Sequence, residues 1–99
     1  MSIQALGGLA SALTAQASVA NRAAVNIVNV NTPDFAAQQG QLVAQQPAGV
    51  ADVATPPAGE VDLAREVTTL MMSKSAYGAA AKTFATVARM DQAVLDILA

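Results

Sequence analysis

The chain has 99 residues and a formal net charge of -2, with only 12% of its residues charged. This leaves no basic footprint for nucleic acid. The absence of histidine and cysteine removes disulfides, thiol chemistry and the commonest metal ligand and general base. Hydrophobic residues reach 54%, but alanine is the largest share and aromatics are only 3%, so the chain is poorly equipped to build a bulky core alone.

The first segment reads as a helix over residues 2–30, with Ser2 as its expected N-cap. Leu6, Leu9, Leu13, Gln16, Ala20, Ala23, Ile27 and Val30 form a stripe at heptad-like spacing, and only Gln16 among them is polar. Ala10, Ala17 and Ala24 widen it with small residues. Gly7 and Gly8 weaken its start, since glycine in a helix interior costs about 1 kcal/mol against alanine. Residues Met1 to Ala20 lack a positive leader and are interrupted by Gln4, Ser11, Thr14, Gln16 and Ser18. They read neither as a cleavable signal nor as a membrane span.

The stretch Asn26-Ile27-Val28-Asn29-Val30-Asn31-Thr32-Pro33-Asp34-Phe35 is a stop signal. Pro33 lacks an N–H, fixes its own φ and pushes Thr32 out of the helical region. The asparagine amides compete with the backbone ladder and tolerate left-handed geometry. Asn26, Asn29, Asn31, Thr32, Pro33 and Phe35 are the expected exit-turn motif. Residues 31–61 then read as an extended or irregular connector. Gln41-Leu42-Val43-Ala44 is a candidate short extended piece, and Ala48-Gly49 and Pro56-Pro57-Ala58-Gly59 carry turn or polyproline chemistry. A structureless loop of that length is unusual inside a compact monomer, which points to a larger assembly.

The last segment reads as a longer helix over residues 62–98, capped by Asp62. Its stripe runs Leu63, Val67, Leu70, Lys74, Tyr77, Ala81, Phe84, Ala88, Asp91, Leu95, Leu98, interrupted only by Lys74 and Asp91. Asp62 and Glu66 imitate a carboxylate pair but read as a cap and a first-turn acid complementing the helix dipole. Met71, Met72 and Met90 read as adaptable packing residues. No phosphate-cradling glycine loop is present, and no nucleophile beside a base. The chain is therefore expected to be no enzyme and to hold no cofactor and no metal. Leu9, Leu13, Ile27, Leu63, Val67, Leu70, Tyr77, Phe84, Leu95 and Leu98 are the expected helix-packing and subunit-interface residues.

Two parts of the chain resemble one family. Ser11-Ala12-Leu13-Thr14-Ala15-Gln16, followed by Val25 to Phe35, is similar to the N-terminal signature of bacterial flagellar rod and hook axial proteins. That signature is an alanine-rich helix ending in a pattern like N-I/L-A-N-V-N-T-P-G-Y/F. Val61-Asp62-Leu63-Ala64-Arg65-Glu66-Val67, then Ser75-Ala76-Tyr77 and Phe84 to Leu98, resembles the matching C-terminal segment. Asp34 stands where the family has glycine, Val28 where alanine is common, and the β-rich insert typical of the family is reduced to the connector. The resemblance implies an all-α fold in which the two terminal helices pair as an antiparallel hairpin or coiled coil. It implies a structural rod subunit of the flagellar basal body that assembles helically with copies of itself and with other rod and hook proteins. It further implies unfolded passage through the flagellar type III export apparatus without a cleaved signal, and a place in the periplasm-spanning rod, with no membrane insertion and no nucleic acid. A small secreted helical-hairpin partner protein of another export system is the alternative; the chain lacks the tryptophan mark that several of those carry.

Overall fold

The computed structural model describes residues 3–98. Helix α1 spans Ile3–Val28, strand β1 Gln39–Ala44, strand β2 Val50–Thr55 and helix α2 Leu63–Leu98. The N-cap expected at Ser2 lies outside the described residues.

Alanine and unbranched residues dominate α1 and favour helix. The helix ends where the asparagines begin. Val30 N–H turns back to the Ile27 carbonyl at 3.2 Å, tightening the last turn, and Asn29 Nδ2 donates to the Val25 carbonyl at 2.9 Å. These bonds satisfy carbonyls that the helix end leaves without partners. Two further turns follow, with Thr32 N–H on the Asn29 carbonyl at 2.9 Å and Phe35 N–H on the Thr32 carbonyl at 3.3 Å. Asp34 is the third residue of the second turn, at φ 61°, in the left-handed region. The turn keeps the geometry a glycine would adopt, and aspartate is among the few side chains that tolerate it.

The connector is where the all-α expectation fails. Residues 39–55 form an antiparallel β-hairpin, with register running from Gln39↔Thr55 to Ala44↔Val50, so the fold is α+β. The loop Gln45–Gly49 contains a cis Gln46–Pro47 bond and is closed by Gln45 N–H on the Gly49 carbonyl at 3.0 Å. A two-stranded hairpin is marginal in water by itself. This one is held by α1, along which it lies. Gly49, at φ 127°, occupies backbone space open to glycine alone.

The helices run antiparallel. Ala23 shares a cleft with Arg65 and Glu66, while Gln16 shares grooves with Ser73 and Tyr77, so advancing along α1 means receding along α2. Asp62 caps α2: its Oδ1 accepts the Arg65 N–H at 3.2 Å. The line of α2 residues turned towards α1 runs through Glu66, Leu70, Ser73, Ala76, Ala80, Phe84 and Val87. It is rotated by about one residue from the apolar stripe of the sequence. Ser73 and Val87 are buried, whereas Leu63, Val67 and Lys74 are exposed. Small side chains lie in the seam because two helices with no third element behind them approach closely but enclose little volume. Among the described residues the buried set is correspondingly thin: Ala15, Ala23, Ala37 and Val87, with the polar Asn26 and Ser73.

Candidate functional site

Helix α1 presents two seams. The first, through Leu9, Leu13, Gln16, Ala20, Ala23 and Ile27, is covered or half-covered along its length. The second is polar. Gly8, Ser11, Ala15, Ser18, Arg22 and Asn26 recur at three- and four-residue spacing, which puts them on one face. Ala15 is buried there, and Ser11, Ser18, Arg22 and Asn26 each hydrogen-bond the segment from Gln38 to Asp52.

Asn26 is the best buried of these, at 0% exposure. Its Nδ2 donates to the Gln38 carbonyl at 2.9 Å and its Oδ1 accepts the Gln38 N–H at 2.8 Å. The side-chain amide thus pairs with a backbone unit as a neighbouring strand would. Ala37, buried beside it, donates its N–H to the Gly59 carbonyl at 2.9 Å and accepts the Ala58 N–H at 3.1 Å. Together they clamp the base of the hairpin. Asn26 was expected in the exit turn; it acts instead from within the helix.

Arg22 and Asp52 form the centre of the seam. Arg22 Nη2 donates to Asp52 Oδ1 at 2.8 Å, Nη1 donates to Oδ2, and Ser18 Oγ donates to Oδ2 at 2.7 Å. The Asp52 side chain is only 3% exposed. The Arg22 hydrogen bonds hold its carboxyl below the usual carboxylate range, against a desolvation that acts the other way. Gly40 makes room for this pair, since a Cβ there would lie 2.7 Å from Arg22 Cζ. The sequence carried a signal for the contact. Arg22 is the only charge before Asp34, and Asp52 is the only charge between Phe35 and Gly59. At the tip, Ser11 Oγ accepts the Val50 N–H at 3.1 Å and donates to the Gly8 carbonyl at 2.7 Å.

The expected packing residues divide into two groups. Leu9, Leu13, Ile27, Leu70 and Phe84 are half-buried in the helix pair. Leu63, Val67, Tyr77, Leu95 and Leu98 are exposed, the last two at 62% and 77%. No residue from Gln92 to Leu98 is buried or half-buried, and Val94 and Ile97 add to the apolar surface there. At the other end of the helix pair, Val28, Val30, Leu63 and Val67 are exposed. Of the expected turn residues, Asn29 accepts the Thr32 Oγ1 hydrogen at 3.1 Å through its Oδ1, Phe35 is half-buried, and Asn31 and Pro33 face solvent.

No protein-family model and no curated protein matches the chain.

A polar cleft of about 280 Å³ lies between α1, the hairpin base and the start of α2, lined by Arg22, Glu60, Asp62, Arg65 and Glu66 among others. Asp62 there is engaged as a helix cap. Among the described residues no group of three or more Asp or Glu side chains is placed to hold a metal ion. No described helix is long and apolar enough to cross a membrane.

Proposed function

We propose that the chain is a structural, non-enzymatic subunit of the flagellar rod type, which assembles with copies of itself and related axial proteins to transmit torque. The observation that carries this reading is the shape of the helix pair together with its uncovered apolar ends. The radius of gyration is 17.1 Å, where a compact chain of this length has about 12.6 Å. The accessible surface is 6691 Å², where a compact monomer of this mass exposes about 5,200 Å². The excess is of the order of one standard protein–protein interface. Exposed Val94, Leu95, Ile97 and Leu98 lie at one end, and Val28, Val30, Leu63 and Val67 at the other. Two unlike apolar ends favour head-to-tail contacts, and such contacts extend into a helical filament when they do not close into a ring.

The resemblance at both chain termini supplies the family. It carries with it the basal-body location and passage through the type III export apparatus without a cleaved signal. In this reading the left-handed Asp34 takes the place of the family glycine in the exit turn.

The test is motility in a strain carrying only the altered chain. Leu70→Asp and Phe84→Asp enter the helix pair and are expected to abolish incorporation. Leu95→Asp changes an exposed side chain and is expected to do so with the helix pair intact. Normal swimming with all three variants sinks the reading.

A further inference from the structure

The hairpin is fixed at two places of different character. Its base is clamped by buried groups: Asn26 on both sides of the Gln38 backbone, and Ala37 against Ala58 and Gly59. Beyond the base, attachment is almost entirely polar, through Arg22 and Ser18 on Asp52 and Ser11 on Val50 N–H. The apolar side chains turned towards the helices are few: half-buried Val50 and Ala51 share a groove with Ser11, Thr14 and Ala15 of α1. Gly40 has none, and Leu42, over the groove between α1 and α2, is still 49% exposed. The strands rest on α1 and make no backbone approach to α2. The helix seam itself is formed by residues of α1 and α2 and does not need the hairpin to close it.

The geometry points to the hairpin as a releasable strap that lifts off α1 as a unit beyond the Gln38–Ala58 base, with the Arg22–Asp52 pair as its latch and the helix pair left formed. Release bares the polar seam of α1 at Ser11, Ala15, Ser18 and Arg22, a face no other element covers. It also leaves the two strands without a support, and an unsupported hairpin does not keep its ladder. Strand amides therefore report the release. Two amides separate the two anchors: Val50 N–H is bound by Ser11 in the strap, and Gln38 N–H by Asn26 in the base.

Residue-resolved hydrogen exchange on the full chain at neutral pH tests this. The β1, β2 and Val50 amides are expected to exchange at least about tenfold faster than Gln38 and the seam amides of α1 and α2, as a separate cooperative unit does. Asp52→Asn is expected to speed the strand amides by a further factor of about ten. Gly40→Ala keeps both charges but forces the Arg22 guanidinium aside, and is expected to act in the same direction. One common rate for strands and helices, with or without protection, overturns the strap. So does no acceleration of the strands by either variant.

Discussion

Three residues carry more of the fold than their size suggests. Asn26 is a polar side chain in a place where a leucine would normally sit, and it survives there because both halves of its amide are satisfied by Gln38. Asn26→Ala removes both partners from a buried site and is expected to cost about 1–3 kcal/mol, read as a lower denaturation midpoint. At Asp34 the φ of 61° is a steric cost that a β-branched side chain cannot relieve. Asp34→Val is expected to destabilise by about 1–2 kcal/mol and Asp34→Gly to be neutral or stabilising. Asp52 gives the chain a pH dependence. Its folded pKa is depressed by Arg22, so its contribution is complete above the ordinary aspartate pKa. It is lost as pH falls through the folded value. The stability gap between the native chain and Asp52→Asn is therefore expected to be widest near neutrality and to close in acid, measured by denaturant titration across pH 2–7 (about the carboxylate range).

At the scale of elements, the helices were legible in the sequence, as was the extended Gln41 to Ala44 within β1, but β2 and the pairing into a hairpin were not. The reasons are physical. Alanine runs with a 3.6 period, an aspartate at Asp62 and a Pro33 stop act locally, so they can be read locally. The strands Gln39–Ala44 and Val50–Thr55 are short and mix valine with glutamine, glycine, alanine and aspartate, which have weak strand preference, and they lie supported on α1. A long-range contact leaves only an indirect trace: here, a lone arginine and a lone aspartate with complementary charge. The rotation of the α2 seam has a similar origin. Apolar pattern marks the face that prefers burial, whereas close approach to α1 selects the line through Ser73 and Ala80. Leu63 and Val67, on the apolar stripe, stay in solvent within a single chain. At the hairpin tip, Gly49→Ala meets a forbidden φ and the Ser11 hydroxyl at once. It is expected to cost about 1–3 kcal/mol, read as faster exchange of the strand amides.

At the scale of the molecule, the principal extents of 62 × 23 × 14 Å describe a thin rod-shaped body with almost no interior. Among the described residues the buried apolar ones are three alanines and one valine, while leucines, methionines and a tyrosine remain outside. As the proposed rod subunit, such a chain gains most of its apolar burial from neighbours. Leu95 and Ile97 test that directly. Changing both to aspartate is expected to leave the helical content of the dilute chain unaltered by circular dichroism while abolishing its concentration-dependent association in sedimentation. The central claim concerns where the chain is built in. Quantitative mass spectrometry of purified flagellar basal bodies addresses it most directly. The account predicts the chain in the rod fraction, lost from it when Leu95 is changed to aspartate; a chain absent from basal bodies and recovered as a soluble one-to-one pair with another small helical protein contradicts it.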